Sequence, residues 1–327
     1  MITFFVDGGE KLGLGHIYRS INLALTFSKK YKITFLINKF KKKTEIKLLN
    51  KIFKKSKLNL QFITNNLIKE FKRDTNQNII FDDPKIKESK IKLANKFYSK
   101  IIVIDDENTL KKYECDLLIN QNDYSKNFNY KSSNKNLIKL LGSNYTILKE
   151  KPIKVNFLIN KNIKKILLLL GATDVKNYYK YLVKKLDGYK LYITVNNKVV
   201  KDKTIKLKKY KNLELLHNKN LKNIILNKKV DVAISCCGSS LYDLFSFRIP
   251  IIGIKCSLDQ YNAYRFYSKN NAIAGSSISN VKTNLKGLNY KKRLILLKNS
   301  KKLYNYNGKY ILRDQIIKLI KKNDKKV

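Results

Sequence analysis

The segment FFVDGGEKLGLGHIYRSINLAL, residues 4–25, predicts the start of a parallel α/β fold. An apolar strand runs into a glycine-dense turn, and apolar residues then recur at helical spacing after His16. Glycines in such a turn permit positive φ angles and let a ligand approach the backbone closely. Because the following helix aims free N–H groups into the same space, we expect an anion or a polarised oxygen to bind there.

On both sides of this segment, short apolar runs alternate with amphipathic stretches, which is the pattern of βα units. In the first half, the predicted strands are 2–6, 32–37, 78–82, 100–105 and 116–120, with helices notably at 16–29 and 85–98. In the second half, the predicted strands are 164–170, 190–195, 213–216, 231–235 and 250–254, with helices near 177–186, 220–228, 240–247 and 260–270. A chain of 327 residues with this pattern predicts two α/β domains, each built on a parallel sheet.

The stretch GSNYTILKEKP, residues 142–152, separates the two halves and carries a glycine, a proline and several polar residues. We therefore expect an N-terminal domain over 1–150 and a C-terminal domain over 151–327. A last long helix over about 309–323 is assigned to the second domain, and we expect it to pack near the domain junction.

The formal net charge of +46 would ordinarily indicate a polyanionic partner. Only six of the 70 basic residues are arginine, although arginine is the usual residue for bidentate phosphate recognition. The 64 lysines are spread among Asn, Ile and Tyr, and the sequence has no recognisable nucleic-acid motif. We therefore interpret the charge as lysine on solvated faces and expect no nucleic-acid partner. A weak electrostatic attraction to membranes remains compatible with it.

The chain begins MITFFVDGG, which enters an apolar strand without a basic leader, and no apolar run approaches ~18 residues. We expect a cytoplasmic protein. Its cysteines lack paired metal-ligand spacing, and a chain of this size folds without disulfides. Cys115, Cys236, Cys237 and Cys256 are accordingly predicted to be reduced thiols.

His16 and Arg19 are the candidate chemical groups of the first turn. His16 begins the predicted helix, where the positive end of the helix dipole disfavours an imidazolium and keeps the ring neutral, as a general base requires. Arg19, three residues on, shares its helix face. The alternative is that His16 is a polar cap and Arg19 a surface charge. The second histidine, His217, closes a predicted strand and is interpreted as a loop residue.

The stretch DVAISCCGSSLYDL, residues 231–244, repeats the order of strand, small-residue turn and helix. Gly238, Ser239 and Ser240 would place amides and hydroxyls around a diphosphate at the helix N-terminus. Asp243 could reach a ribose diol. However, Ser240 and Asp243 also fit an S-x-x-D capping box, which needs no ligand.

Two further loops are expected at the ligand, because ligands of open parallel sheets collect at the carboxyl ends of the strands. LLLLGATDVKN, residues 167–177, ends a predicted strand at Gly171, and Thr173 and Asp174 follow on the turn. Either of these two residues could instead cap the helix that begins near residue 177. After the strand PIIGI, Asp259 and Gln260 offer polar groups at another helix start.

Taken together, these motifs resemble the UDP-2,4-diacetamido-2,4,6-trideoxy-β-L-altropyranose hydrolases of pseudaminic acid biosynthesis, called PseG, and the related spore-coat polysaccharide proteins. VDGGEKLGLGHIYRSINLA is similar to their N-terminal signature, IDDENTLKKYECDLLINQNDYSK to their Asp-Asp stretch, and LLGSNYTILKEKP to their junction. LLLGATDVKN resembles their Gly-Gly-Thr-Asp loop, and ISCCGSSLYDL resembles a nucleotide loop shared with MurG-like glycosyltransferases. The resemblance runs in order to about residue 275.

The resemblance implies a GT-B-type fold, with two Rossmann-like parallel-sheet domains facing a cleft and UDP on the second domain. It implies that His16 activates water against the anomeric carbon and releases UDP, with helix termini and Arg19 at the diphosphate instead of a metal. We expect a monomer that uses a UDP-sugar and no cofactor. The implied substrate-binding residues are Asp7, Gly8, Gly9, Gly13, Gly15, Arg19, Gly171, Thr173, Asp259 and Gln260. The implied UDP-binding residues are Gly238, Ser239, Ser240, Leu241 and Asp243.

The chain departs from the family pattern at several positions. Asp83 and Pro84 stand where a sugar-contacting aromatic is expected, and Ala172 replaces a glycine. Asp243 stands where Glu is common, and Asp259 where Asn precedes the Gln. Two alternatives to a hydrolase therefore stay open: a MurG-like glycosyltransferase in which His16 deprotonates an acceptor hydroxyl, and an inactive nucleotide-sugar-binding protein.

Overall fold

The computed structural model describes residues 1–8, 14–38, 43–63, 67–74, 77–149, 152, 159–171, 174, 176–195, 198–217, 220–257 and 260–321. The chain divides into two compact units, Met1–Leu12 with His16–Leu148 and Asn305–Val327, and Gly13–Gly15 with Lys149–Tyr304. We call these the first and the second unit. Each is an α/β unit built on one parallel sheet, so the predicted fold class is confirmed.

The first unit has a parallel sheet of seven described strands in the order β3-β2-β1-β4-β5-β6-β7. The strands are β1 (Ile2–Val6), β2 (Ile33–Asn38), β3 (Asn59–Ile63), β4 (Asn78–Asp82), β5 (Lys100–Ile104), β6 (Leu117–Asn120) and β7 (Ile138–Leu141). The helices between them are α1 (Gly15–Ala24), α2 (Lys43–Ser56), α3 (Leu67–Arg73) and α4 (Glu88–Ala94), with short 3-10 helices at Asp123–Asn127 and Ser143–Tyr145. The two central strands, β1 and β4, are buried along their whole length, as expected for a sheet covered on both faces.

The second unit repeats this arrangement in a parallel sheet of six described strands, in the order β10-β9-β8-β11-β12-β13. Its strands are β8 (Lys165–Leu169), β9 (Lys190–Val195), β10 (Leu213–His217), β11 (Val232–Cys236), β12 (Ile251–Ile254) and β13 (Ala274–Ser276). Its helices are α5 (Tyr178–Lys185), α6 (Lys198–Thr204), α7 (Leu221–Lys228), α8 (Ser240–Ser246), α9 (Tyr261–Lys269), α10 (Val281–Lys286) and α11 (Tyr290–Ser300), with a 3-10 helix at Ile205–Lys209.

Each sheet has a point where the strand order changes direction. In the first unit it lies between β1 and β4, and in the second unit between β8 and β11. Ligands of doubly wound sheets bind outside the carboxyl ends of the strands at such a switch point. The fold therefore singles out the residues that follow β1 and β4 in one unit, and those that follow β8 and β11 in the other.

The final helix, α12 (Gly308–Lys321), groups with the first unit, whereas the sequence analysis assigns it to the second. A Cβ on Gly308 would overlap the carbonyl oxygen of Thr146, so the helix approaches this backbone more closely than a side chain allows. The Lys309 Nζ donates a hydrogen bond of 3.0 Å to the Leu148 carbonyl oxygen. These contacts hold α12 to the end of the first unit.

The prediction of four reduced thiols is wrong for two of the cysteines. Cys236, at the end of β11, and Cys256, just beyond the end of β12, form a disulfide with a Cα–Cα distance of 5.7 Å. The parallel pairing of these neighbouring strands brings the two residues together, although 20 positions separate them in sequence. Cys115 and Cys237 are free and buried.

Among the helices that the structure describes, none combines the length and the apolar character needed to cross a membrane.

Candidate functional site

The centre of the candidate site is a histidine–aspartate pair at the switch point of the first sheet. Asp82 is the last residue of β4 and lies opposite Val6, the last residue of β1. His16 lies in the first turn of α1, and its Nδ1 is 2.7 Å from the Asp82 Oδ1. The side chain of Asp82 is 0% exposed and that of His16 is 19% exposed. The imidazole is therefore held from one side and open to solvent on another.

Asp82 accepts hydrogen bonds from three side chains of α1. Besides the contact with His16, its Oδ1 accepts from the Arg19 Nη2 at 2.5 Å, and its Oδ2 accepts from the Arg19 Nε at 3.1 Å. The Ser20 hydroxyl donates to the Oδ2 at 2.8 Å. A buried carboxylate is stable only when such donors replace its lost hydration. Asp82 therefore fixes the position of α1 against the sheet.

The contacts of His16 determine its tautomer. A carboxylate oxygen only accepts hydrogen bonds, so the contact with Asp82 requires the proton on Nδ1. The Arg19 Nη2 lies 3.1 Å from the same nitrogen, and it cannot donate to an Nδ1 that already carries a proton. The lone pair of the neutral ring is then on Nε2, which has no hydrogen-bond partner among the described residues. This is the arrangement of a general base held by a carboxylate.

The pKa of His16 is raised above its ordinary value. Burial of the ring lowers this pKa, but the charge of Asp82 and the hydrogen bond to it raise it by more. The same interactions, together with Arg19, hold the pKa of the Asp82 carboxyl far below its usual range, although burial acts in the opposite direction. The pKa shift is opposite in direction to the one expected from the helix dipole, because Asp82 raises the pKa of His16.

Arg19 is buried and bound on two sides, so the alternative of a surface charge is wrong. Its Nη1 donates to both carboxylate oxygens of Asp106, at 2.9 and 2.6 Å, while its Nε and Nη2 donate to Asp82. Burial lowers the pKa of Arg19, but the two carboxylates raise it well above its usual range. Because these carboxylates occupy its donors, Arg19 orients the pair instead of offering a free guanidinium to a diphosphate.

The glycine turn after β1 is described only in part. The Asp7 Oδ1 accepts a hydrogen bond of 2.8 Å from the Gly8 amide, so this carboxylate folds back on its own turn. Gly15 is the first residue of α1. The predicted site residues Gly9 and Gly13 lie outside the described residues, as do Thr173 and Asp259 of the second unit.

In the second unit, the turn after β11 begins α8 without a side-chain cap. Ser239 precedes the helix and its side chain makes no capping hydrogen bond. The Asp243 Oδ1 accepts a hydrogen bond of 3.4 Å from the Lys149 amide. Leu241 is 1% exposed and its amide donates to the Gly238 carbonyl, so it contributes to packing and offers no free donor.

Gln260 lies beside the same turn. Its Oε1 accepts a hydrogen bond of 3.0 Å from the Cys256 amide, which fixes the orientation of the carboxamide. Its Nε2 would lie 3.5 Å from a Cβ placed on Gly238. The structure thus brings Gln260 and Gly238, which the sequence places on separate motifs, to one location at the carboxyl edge of the second sheet.

The turn after β8 combines one open glycine with one structural aspartate. Gly171 has a φ of +78°, and a Cβ placed on it would meet no atom within 4 Å. Asp174 is buried and accepts hydrogen bonds from the amides of Tyr178 and Tyr179 at the start of α5. Of the two interpretations of Asp174, capping of the helix is the one that the structure bears out.

Asp82 and Asp106 are site residues that the sequence motifs do not single out. Asp82 ends β4, which lies next to β1 in the sheet, and Asp106 lies two residues beyond the end of β5, which lies next to β4. The signal that could have found them is the pair of acidic residues directly after each apolar run, FDD and IDD. Within the described part of the chain, no group of three or more His, Cys, Asp or Glu residues could hold a metal ion.

Comparison with known sequences finds an uncharacterized relative. The chain is 25% identical over 284 residues to the uncharacterized protein MJ1062 of Methanocaldococcus jannaschii, an alignment that covers 82% of this chain and 58% of that protein. The chain thus spans less than two thirds of the length of this relative. No family model matches the chain.

Comparison with solved structures extends the likeness across the whole chain. MurG of Acinetobacter baumannii has a TM-score of 0.64 at 10% identity, over 97% of this chain and 99% of that one. The Staphylococcus aureus MnaA–UDP structure has a TM-score of 0.61 at 11% identity, over 100% and 97%. A UDP-GlcNAc 2-epimerase from Neisseria meningitidis, bound to UDP-GlcNAc, has a TM-score of 0.58 at 13% identity, over 97% and 100%. At these identities the likeness shows the fold: the chain has a GT-B fold of two Rossmann-like units.

Proposed function

We propose that this protein is a UDP-sugar hydrolase in which His16 activates water against the anomeric carbon. The observation that carries the proposal is the His16–Asp82 pair at the switch point of the first sheet. A ring held through Nδ1 by a buried carboxylate, with Nε2 free to take a proton, suits the removal of a proton from water. Two solved structures of similar fold, one bound to UDP-GlcNAc and one to UDP, support a nucleotide-sugar as the substrate.

In the proposed reaction, the Nε2 of His16 takes a proton from water as the water oxygen bonds to the anomeric carbon. The bond between this carbon and the diphosphate oxygen breaks, and its electron pair leaves with UDP. The products are UDP and the free sugar, and the imidazolium returns its proton to solvent. With a neutral imidazole, Arg19, Asp82 and Asp106 together carry a charge of about −1, which stabilises positive charge that develops on the sugar ring.

We assign UDP to the second unit, with its diphosphate at the Gly238–Ser240 turn and Gln260 beside it. Amides at a strand's carboxyl edge, and the hydroxyl of Ser239, which makes no capping hydrogen bond, are suited to phosphate oxygens. Asp243 is proposed to contact the ribose. The resemblance of the His16 segment to the PseG signature supports a diacetamido-trideoxyhexose as the sugar, on a route to a pseudaminic-type acid.

The test is UDP release by the purified full chain from a panel of UDP-sugars without an acceptor. We expect turnover by the wild type, in the presence of EDTA as well, and loss of turnover in His16→Asn. UDP binding without turnover of any sugar, either alone or with acceptors, would instead identify an inactive nucleotide-sugar-binding protein.

The fold likeness to MurG over 97% of the chain favours a second candidate, a glycosyltransferase in which His16 deprotonates an acceptor hydroxyl. The same panel distinguishes the two when it is repeated with sugar and lipid-linked acceptors. UDP release that depends on an acceptor would establish the transferase and exclude the hydrolase.

A further inference from the structure

The outer face of α11 exposes apolar side chains in an otherwise lysine-rich region of the second unit. Arg293, Leu296, Leu297 and Ser300 form the buried face of this helix. On the other side, Leu294 is 44% exposed and Ile295 is 49% exposed, and Tyr290, one turn before Leu294, is 41% exposed. Single exposed apolar residues are ordinary, but three on one eleven-residue helix call for an explanation.

Lysines surround these apolar side chains. Lys291, Lys292 and Lys298 are exposed on the same helix, and Lys301 is exposed just after it. None of these four forms an ion pair with a described residue. The helix therefore presents an outer face that is both cationic and apolar, formed by Tyr290, Lys291, Lys292, Leu294, Ile295 and Lys298.

The stretch of sequence around α11 has a larger excess of basic over acidic residues than the chain as a whole. Residues 260–304 contain ten basic residues and no aspartate or glutamate, although the chain has 24 acidic residues in all. Lys282, in this stretch, forms its ion pair with Asp187, which lies outside the stretch. Acidic side chains that would neutralise the lysines of α11 are absent from its own stretch of sequence, so this face attracts anionic surfaces.

We propose that the outer face of α11 binds an anionic lipid surface. A helix with exposed aliphatic residues among lysines lies in the plane of the membrane interface, with its apolar side chains at the acyl boundary and its ammonium groups at the phosphates. Tyrosine is also favoured at this depth. The inference does not depend on the proposed hydrolase activity, because none of these residues belongs to the nucleotide or histidine site.

A lipid surface fits this face better than two other partners. Phosphates of a nucleic acid would satisfy the lysines but would leave Leu294 and Ile295 without an apolar environment. A second copy of the chain would cover the apolar pair but would bring the lysines of two identical faces together. A lipid interface satisfies both kinds of side chain at once.

The experiment is co-sedimentation of the full chain with phosphatidylcholine vesicles, with and without phosphatidylglycerol, at low and high salt. We expect binding only to the anionic vesicles, weakened by salt. Replacing Leu294 and Ile295 by Ser should lower the partition coefficient on the order of tenfold, since two half-exposed aliphatic groups lose their burial. Lys291→Ser with Lys298→Ser should lower it about fivefold per lysine.

The matched control lies in the same unit, where Ile205 is 38% exposed and is followed by the exposed Lys206 and Lys208. Ile205→Ser, and separately Lys206→Ser with Lys208→Ser, remove the same kinds of group from another surface. Circular dichroism of every variant checks that the fold is kept, and all substitutions are at exposed positions. Binding should fall in the α11 variants and stay near the wild-type value in the controls.

Three results would overturn the proposal. Equal losses in the control variants would mean that net charge alone binds the vesicles. Vesicle binding that is indifferent to the Leu294 and Ile295 changes, with loss of single-stranded oligonucleotide binding in the lysine variant, would identify a nucleic-acid surface. A wild-type dimer in sedimentation that the Leu294 and Ile295 changes dissociate would identify an interface between two copies.

Discussion

Replacing Asp82 by Asn is the most informative perturbation of the candidate site, because it keeps the shape of the side chain and removes its charge. Asp82 is fully buried and accepts from His16, Arg19 and Ser20. In the Asn variant one acceptor oxygen becomes an NH₂ donor. If this group faces His16, the imidazole must accept at Nδ1 and carry its proton on Nε2, which removes the base. If the NH₂ group instead takes the place of Oδ2, it faces the Arg19 Nε, and two hydrogen-bond donors oppose each other.

The expected loss follows from these contacts. A histidine held in the wrong tautomer, or lost as a positioned base, costs ~10²–10⁴ in kcat. Removing one partner of a buried ion pair destabilises a protein by ~3–5 kcal/mol. Arg19 keeps the contact of its Nη1 with both carboxylate oxygens of Asp106, so we expect the lower end of this range, about 3 kcal/mol. UDP affinity should be unchanged, because we assign UDP to the second unit.

The pH dependence has a definite sign. In the wild type the raised pKa of His16 places the acid limb of the rate profile above pH ~6.5, and the rate falls as the ring protonates. In Asp82→Asn burial still lowers this pKa while the carboxylate no longer raises it, so the limb moves to lower pH.

Linkage gives the matching effect on stability. The raised pKa of His16 contributes stability below its ordinary pKa, and this contribution is lost as pH rises through the folded-state value. The depressed pKa of Asp82 contributes stability above its ordinary pKa, and this contribution is lost as pH falls toward the folded-state value.

The assay is an NMR titration of the imidazole signals, which needs no substrate. The chain has two histidines, His16 and His217, and His217→Ala assigns their signals. An NMR titration should give His16 a pKa above its ordinary value and nitrogen shifts of the Nδ1–H tautomer. Asp83→Asn is the matched control. Asp83 is the residue after Asp82, is 3% exposed, and forms an ion pair of 2.7 Å with Lys90. The account is refuted if Asp82→Asn leaves the His16 titration unchanged, or if Asp83→Asn changes it equally.

Three further outcomes are expected. His16→Asn should lower turnover by ~10²–10⁴ with little change in UDP affinity, and His217→Ala should leave the rate near the wild-type value; equal losses in steady-state kinetics would contradict the assignment. Gly238→Ala should weaken UDP binding on the order of tenfold by calorimetry, because the added methyl group stands where we propose that the diphosphate binds; unchanged affinity would place UDP elsewhere. Thiol titration of the denatured, unreduced protein should give two thiols, and four would exclude the Cys236–Cys256 disulfide. Cys256→Ser should lower the free energy of unfolding in urea by about 3 kcal/mol.

The interior strands were predictable from the sequence because they are buried on both faces and read as mostly apolar runs. The predicted strands 2–6, 78–82 and 190–195 coincide with β1, β4 and β9. The strands that the analysis missed lie at sheet edges. In β3 exposed and half-buried residues alternate, and in β7 the exposed Lys139 interrupts the apolar run. An edge strand lacks the second apolar face that makes a central strand visible in sequence.

Only the site residues that belong to a continuous sequence motif were predictable. His16 and Arg19 stand out because the glycine turn and the helix start are continuous in sequence. Asp82, 66 residues from His16, becomes its partner only through the order of the strands in the sheet. The direction of the His16 pKa shift could not be predicted for the same reason, since the dipole of α1 is local and the carboxylate is not.

The central claim is tested most directly by hydrolysis of a UDP-sugar in water enriched in ¹⁸O, without an acceptor, followed by mass spectrometry of both products. Attack by water at the anomeric carbon predicts ¹⁸O in the released sugar and none in UDP, with the labelled product lost in His16→Asn. Label in the phosphate, or labelled sugar formed at the same rate by His16→Asn, would contradict the account.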